Sequence, residues 1–198
     1  MKDNSRADRQ QQIEEAAYAL LEQKGYAGTS MQGIARLARA SNETLYSWYG
    51  DKQGLFRALV IRNAAEVRAQ LEADLAAARP PRDTLTALGP RLLSLLLGDR
   101  AVALNRAAAA DPSGELGALI AQSGRDSVMP LIAQVLKAAR AEGLLRFDDA
   151  GAAAGLYLDL LVGDQQIRRV IGRLPVPSEA ACQARGAAAV THLFRLLG

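Results

Sequence analysis

Two short helices that follow each other almost without a connection constrain this fold more than any other feature. Thr29 and Gln32 have the spacing of a capping box, which predicts a helix that starts after Thr29. Ser41 is a good N-cap for a second short helix, from Asn42 to Tyr49. Asp51 then caps a third, longer helix. A short helix, a tight break and another short helix form a helix-turn-helix.

The second short helix is expected to have a buried side and an exposed side. Leu45 and Tyr49 should face the core. Their expected neighbours are Ile34, Leu37 and Phe56. The other side carries hydrogen-bonding groups rather than the Lys and Glu of an ordinary surface helix: Asn42, Glu43, Thr44, Tyr46, Ser47 and Trp48. Because the major groove of B-DNA admits one α-helix, such a helix is suited to reading base edges.

A longer pattern surrounds these helices. It reads Ile34-Ala35-x2-Ala38-x2-Ser41-x2-Thr44-Leu45-Tyr46-x2-Tyr49-Gly50-Asp51-Lys52-x2-Leu55-Phe56, with Thr29-Ser30 before it. This pattern resembles the DNA-binding domain of the TetR/AcrR family of transcriptional regulators, and the resemblance covers roughly the first 57 residues. The remaining chain is similar to that family in layout only. Its helix pattern and its Asp111-Pro112 turn resemble the AefR-like branch.

The resemblance implies roles for individual residues. It places Thr29 and Ser30 where the N-terminus of the first short helix meets phosphate, and it makes Tyr46 and Lys52 phosphate contacts. Base edges would be read by Gln32, Asn42, Glu43 and Ser47. An Asn side chain can bond adenine in bidentate fashion, and a Glu can accept from the amino group of cytosine. The predicted DNA-binding residues are Thr29, Ser30, Gln32, Ser41, Asn42, Glu43, Thr44, Tyr46, Ser47, Trp48 and Lys52.

Three residues leave alternatives open. Arg39 stands in the turn where many family members carry glycine, so either the backbone differs there or Arg39 reaches a phosphate. Glu43 replaces a small residue, and it either reads a base or favours the N-terminus of its helix through the dipole. Trp48 is equally compatible with a core position.

Ala and Leu dominate the composition, and aromatic and β-branched residues are scarce, which favours helices. No strand pattern of any length is present. The sequence therefore predicts an all-α fold of about nine helices. They include a helix over roughly 83–97 that Gly89-Pro90 interrupts, a long helix from Asp148 to about Arg173, and a last helix from Glu179 to Leu197. A three-helix helix-turn-helix domain would occupy residues 1–52, and a helical ligand-binding and dimerisation domain would occupy residues 53–198.

Small residues on the last two helices predict a homodimer, because they let helices approach closely in a four-helix interface. Dimeric helix-turn-helix proteins match palindromic operators. The alternative is that these residues fill an intrachain core. The predicted interface consists of Leu156, Leu160, Gly163, Ile167, Ala184, Ala188 and Thr191.

The family resemblance also implies a pocket for a small-molecule effector among the middle helices. Its expected apolar lining, suited to a hydrophobic or aromatic compound, is Leu92, Leu96, Met129, Ile132 and Tyr157. The same residues are compatible with plain core packing. No cofactor and no metal are predicted.

Enzymatic activity is not expected. Cys182 and His192 are the chain's single cysteine and single histidine, so no nucleophile–base set and no cysteine-based metal cluster can be assembled. The polar N-terminus and the absence of a long apolar run predict a cytoplasmic protein without a membrane segment. The net charge of +3 is too small to indicate a nucleic-acid ligand by itself.

The prediction is thus a DNA-binding transcriptional regulator, specifically a repressor that a small apolar ligand releases from its operator. Two alternatives remain. One is a helical small-molecule-binding protein or enzyme with a vestigial helix-turn-helix. The other is an adaptor that uses the helix-turn-helix for protein contacts. Salt-dependent, sequence-selective binding to duplex DNA separates the first reading from the other two.

Overall fold

The computed structural model describes residues 2–198, with side chains from Arg6 onward, and the regular elements in this range are helical. The helices are α1 (Lys2–Gly28), α2 (Met31–Leu37), α3 (Asn42–Tyr49), α4 (Lys52–Ala76), α5 (Pro81–Leu97), α6 (Asp99–Ala109), α7 (Glu115–Ile120), α8 (Asp126–Ala141), α9 (Ala150–Val162), α10 (Gln165–Val170) and α11 (Glu179–Leu197). A π-helical turn, Ala121–Arg125, joins α7 to α8. The all-α prediction is confirmed.

Three of the differences between the predicted and the observed helices concern α5, α7 and α9. A long helix was expected from Asp148 to Arg173, but α9 ends at Val162 because Gly163 has a φ of 53°. The short helix α7 was not predicted. The interruption expected at Gly89-Pro90 is wrong, since α5 continues through Pro90. These differences give eleven α-helices in the described range instead of about nine.

One compact unit comprises the residues up to Arg62 together with Ala103–Ser123. Its core combines apolar side chains of α1, α2, α3, α6 and α7 with the first half of α4. Tyr26 and Phe56 meet edge to face, with ring centroids 5.2 Å apart. The buried carboxylate of Glu14 on α1 forms an ion pair with Arg62 on α4 at 2.7 Å. This pair fixes α4 to the first helix.

The second unit comprises Asn63–Val102 and Gly124–Gly198. Within it, α5 and α11 cross at two glycines. A Cβ added to Gly89 would lie 2.9 Å from the Cα of Gly186, closer than real Cβ atoms approach. The absence of side chains at both positions therefore permits the crossing.

Two polar side chains support this second unit from inside. Tyr157 on α9 is fully buried and donates its hydroxyl to the carbonyl oxygen of Leu85 at 2.9 Å. Arg169 on α10 donates to the carbonyl oxygen of Leu97, the last residue of α5, at 2.8 Å. The same guanidinium donates to the carboxylate of Asp99, the first residue of α6, at 2.7 Å. Arg169 thus caps one helix and pairs with the start of the next.

The predicted domain boundary after residue 52 does not coincide with the packing. Residues 53–62 and 103–123 pack with the helix-turn-helix, and α4 supplies side chains to both cores. Phe56 belongs to the first core and Leu71 to the second. The functional division at 52/53 stays a prediction.

Candidate nucleic-acid interface

The second short helix, α3, forms where the sequence predicts it. The hydroxyl oxygen of Ser41 accepts the backbone N–H of Thr44 at 3.0 Å, which is the expected N-cap bond. Leu45 is fully buried and fixes the inner side of the helix against the core. Gly50, with a φ of 78°, follows the last helical residue. Both ends and the inner face of α3 are therefore set by local sequence and one buried leucine.

The outer face of α3 is exposed and polar. Tyr46 has half of its side chain in solvent, at 50 % relative exposure. The other exposed residues of this face are Asn42, Glu43 and Ser47, and the half-buried ones are Thr44 and Trp48. Within this helix, the side chains able to bond base edges or phosphates lie on the side opposite the core.

The first short helix, α2, starts one residue later than predicted. Its N-cap is Ser30, whose hydroxyl oxygen accepts the N–H of Gly33 at 3.1 Å. Thr29 is only 2 % exposed, and its hydroxyl donates to the carbonyl oxygen of Gly25 at 2.8 Å. The capping box with Thr29 is therefore wrong, and the Thr29 side chain faces the interior. The contact of this helix start with a phosphate stays a prediction. Ser30 and Gln32 are exposed.

The side chain of Lys52 is partly engaged inside the protein. Its ammonium group donates to the carbonyl oxygen of Tyr26 at 3.0 Å and lies 4.0 Å from the centroid of the Tyr26 ring. Lys52 is half-buried, and these two contacts hold its ammonium group against Tyr26. Its predicted contact with DNA stays a prediction.

Aromatic side chains at the end of α3 differ in their environment. Tyr49 packs against the core, as expected. Its buried hydroxyl has no hydrogen-bond partner among the described residues. Burial raises the pKa of the Tyr49 phenol above its ordinary value, and the nearby carboxylate of Glu14 adds to the effect. Trp48 lies at the surface of the same core, with the guanidinium of Arg6 5.2 Å from the centroid of its ring.

Leu37 was expected in the core, and it is 53 % exposed instead. The buried side chains of α2 and its C-cap are Met31, Ile34, Ala35 and Ala38. They follow the helical period of the predicted stripe, but the stripe is rotated away from Leu37.

The residues predicted to line a ligand pocket belong to the core cluster of the second unit or pack against it. Leu92, Ile132 and Tyr157 are buried, and Leu96 and Met129 are half-buried. This arrangement agrees with the plain core packing that the sequence left open.

The residues predicted for a dimer interface are accessible. Gly163, Ile167, Ala184 and Ala188 are exposed, and Leu156, Leu160 and Thr191 are half-buried. Gly163 has a local role as well, because an added Cβ would lie 2.9 Å from a guanidinium nitrogen of Arg185.

Taken together, the capped α2–α3 pair and the polar face of α3 define a helix-turn-helix protein of the all-α class. Residues 13–59 match the model of bacterial regulatory proteins of the tetR family. Residues 83–196 match the C-terminal domain of AefR-like transcriptional repressors. The chain therefore belongs to the TetR family of transcriptional regulators, which bind DNA and small molecules and are not enzymes.

Solved structures agree with this assignment. A TetR transcriptional regulator from Agrobacterium tumefaciens is 31 % identical, with a TM-score of 0.75 over 96 % of this chain and 94 % of that chain. The flavonoid-responsive regulator FrrA is 26 % identical, with a TM-score of 0.69 over 96 % and 97 %. FadR from Bacillus subtilis, in complex with stearoyl-CoA, shares the fold at 16 % identity, with a TM-score of 0.73 over 95 % and 99 %. No curated protein matched the sequence.

Within the described range, no helix combines the length and the apolar character that crossing a membrane requires.

Proposed function

We propose that the protein is a homodimeric repressor that binds a palindromic operator through α3 and leaves it when a small apolar ligand binds. The observation that carries the proposal is the outer face of α3, where Asn42, Tyr46 and Ser47 are exposed opposite the buried Leu45. Exposed hydrogen-bonding side chains on a capped helix suit the major groove. Such a repressor acts in the cytoplasm, beside its DNA.

The exposed side chains are expected to divide into two roles. Asn42 and Ser47 set the sequence preference, and Tyr46 and Lys52 set the affinity through phosphates. Selection of bound sequences from a random pool of duplexes would define the operator. Asn42→Ala should then cost about 1–3 kcal/mol at the matching position and relax the preference there. Lys52→Ala should weaken binding to all sequences alike and lower the salt slope by about 1.

The opposite pattern would contradict this docking. If Lys52→Ala changed the selected sequence and Asn42→Ala did not, α3 would lie in the groove in another orientation. Selection that enriched no sequence would contradict the proposal as a whole. It would favour the adaptor or the small-molecule-binding alternative.

The dimer is supported by the exposure of small residues on α11. Ala184 and Ala188 are exposed one turn apart. Ala188→Glu should give monomers in analytical ultracentrifugation and abolish tight operator binding. Gly163 is unsuitable for this test, because its φ of 53° strains any other residue. Wild-type protein that stays monomeric at micromolar concentration would contradict the dimer.

Release by a ligand is supported by α4. Two residues separate it from α3, and it is one continuous helix whose side chains belong to both cores. A ligand that displaces the far half of a rigid helix also moves its near half. The flavonoid-responsive relative supports an effector of apolar or aromatic character. Coupling of roughly 1–3 kcal/mol is typical of such systems and is reciprocal. A ligand found by thermal-shift screening should therefore bind more weakly in the presence of operator. Equal affinities would show that it does not control DNA binding.

A further inference from the structure

The turn between α2 and α3 holds an arginine in a conformation that favours glycine. Arg39 has a φ of 51°. Its backbone N–H donates to the carbonyl oxygen of Arg36 at 3.3 Å. The N–H of Ala40 donates to the carbonyl oxygen of Ala35 at 2.9 Å. These two bonds together form a Schellman motif at the end of α2. The same pair of bonds surrounds Gly143 at the end of α8, with a φ of 73°. An arginine at this position is strained, whereas glycine adopts the same conformation without strain.

Arg39 lies in a surface cleft of about 490 Å³ beside the start of α3. We call it the arginine cleft, and its principal lining residues are Arg6, Arg9, Arg39, Ser41, Thr44 and Trp48. No carboxylate is among its lining residues. Across the side chains that the structure describes, none of the three arginines forms a salt bridge. Three positive charges thus line one cleft, and none of them is paired with a carboxylate among the described side chains.

Two of the three guanidinium groups are already positioned by the protein. Arg9 donates to the carbonyl oxygens of Ala38 and Arg39, at 3.4 Å and 3.1 Å. Arg6 lies over the ring of Trp48, 5.2 Å from its centroid, in cation–π geometry. Side chains held in this way lose less conformational freedom when they bind a ligand.

We propose that the arginine cleft binds a phosphate of the DNA backbone next to the base pairs that α3 reads. Guanidinium groups donate paired N–H bonds to phosphate oxygens, and an acid-free basic cleft suits a phosphodiester. Ser41 and Thr44 belong to the start of α3 and line the cleft, so a phosphate bound there lies beside Asn42 and Glu43. The inference rests on the proposed DNA binding by α3, and it adds a contact outside Tyr46 and Lys52.

The test compares two substitutions that change the backbone in the same way. Arg39→Gly removes the guanidinium and relieves the strained φ. Ala78→Gly relieves an equivalent strain, because Ala78 has a φ of 48° in the same motif at the end of α4. Both variants should fold and show a raised thermal midpoint. Only Arg39→Gly should lower the salt slope of duplex binding, by about 0.9 for one lost phosphate contact. Between 50 and 200 mM KCl, wild type should therefore lose about 3.5-fold more affinity than Arg39→Gly does.

Lys137→Gln on α8 controls for the loss of one positive charge, since Lys137 is exposed and lies outside the helix-turn-helix. It should leave the slope unchanged. Trp48, the single tryptophan of the chain, reports on the cleft directly through its fluorescence. Duplex DNA should change its emission in wild type and change it less in Arg39→Gly.

The outcomes distinguish the two proposals. Wild-type protein that binds no duplex would contradict the proposed function itself. Wild-type protein that binds duplex, with an unchanged slope in Arg39→Gly, would overturn the arginine cleft alone. A Trp48 signal for inorganic phosphate but none for duplex would also overturn it, because the cleft would then serve a free anion.

Discussion

The close crossing of α5 and α11 predicts that adding a single methyl group at Gly186 affects the stability of the protein. Gly186 sits on α11 opposite Pro90, and a Cβ added to it would lie 2.8 Å from the Cδ of Pro90. Carbon atoms in favourable contact are about 3.5–4.0 Å apart, so Gly186→Ala must push the two helices apart by close to 1 Å. Overpacking of a dense core in this way costs about 1–3 kcal/mol.

Helix propensity opposes this cost, because alanine is favoured over glycine by about 1 kcal/mol in a helix interior. Gly155→Ala isolates that gain: Gly155 lies within α9, and an added Cβ there would meet nothing within 4 Å. Gly155 is also outside the predicted dimer interface. We expect Gly155→Ala to be stabilising by up to about 1 kcal/mol and Gly186→Ala to be less stable than Gly155→Ala by about 1–3 kcal/mol.

Urea denaturation followed by circular dichroism measures the free energy of unfolding of both variants. Both are measured at the same protein concentration, because the stability of a dimer depends on concentration. The comparison is decisive because the propensity gain is common to both substitutions. If Gly186→Ala were as stable as Gly155→Ala, the close approach of the two helices at Gly186 would be wrong.

Other predictions concern polar groups of the second unit. Arg169→Met should cost about 3 kcal/mol, because it removes the donor to the carbonyl oxygens of Leu97 and Leu174. Asp99→Asn should cost less than about 1 kcal/mol, because the Asp99 side chain is 82 % exposed. If both variants lost the same stability in urea denaturation, the larger contribution assigned to the Arg169 bonds would be wrong. Burial raises the pKa of the Tyr157 phenol. The buried, neutral Tyr157 phenol therefore stabilises the fold fully at pH values below the unfolded-state pKa of about 10. Above that pH the free energy of unfolding falls by up to about 1.4 kcal/mol per pH unit, because the unfolded state releases the proton first. Tyr157→Phe should remove this part of the alkaline slope in urea midpoints measured from pH 9 to 11.

Elements with strong local signals were predictable from the sequence. The bounds of α3 and α11 agree with the prediction, because Ser41 and Ser178 are caps that directly precede a clear helical pattern. The outward position of the polar side chains of α3 follows from one buried residue, Leu45, and the helical period.

The start of α2 was not predictable to one residue, because Thr29 and Ser30 are adjacent and either can cap a helix. The choice depends on the burial of Thr29, which is a tertiary contact. The exposure of Leu37 has a similar origin. Ile34 and Ala38 fit two helical stripes, one with Leu37 and one with Met31 and Ala35, and only the position of the neighbouring helix selects between them.

Residues 103–123 are a third case, because they pack with the helix-turn-helix across a long separation in sequence that no local pattern indicates.

Several positions depart from what the local sequence predicts, and different structural features accompany these departures. Pro90 inside α5 is accommodated by Gly186, whose missing side chain leaves room for the proline ring. Gly163 ends α9 early, and Arg185 closes against it with a bond to the carbonyl oxygen of Leu161. In both cases a residue of α11 packs against the exceptional position.

Arg39 is different, because the Schellman turn forms equally well around a glycine at the end of α8. Its strained backbone is therefore not required by the fold. What its side chain adds is a positive charge in a cleft that already contains Arg6 and Arg9. If α3 reads DNA as proposed, a contact with the duplex backbone accounts for this charge, because that backbone lies at a fixed distance from α3.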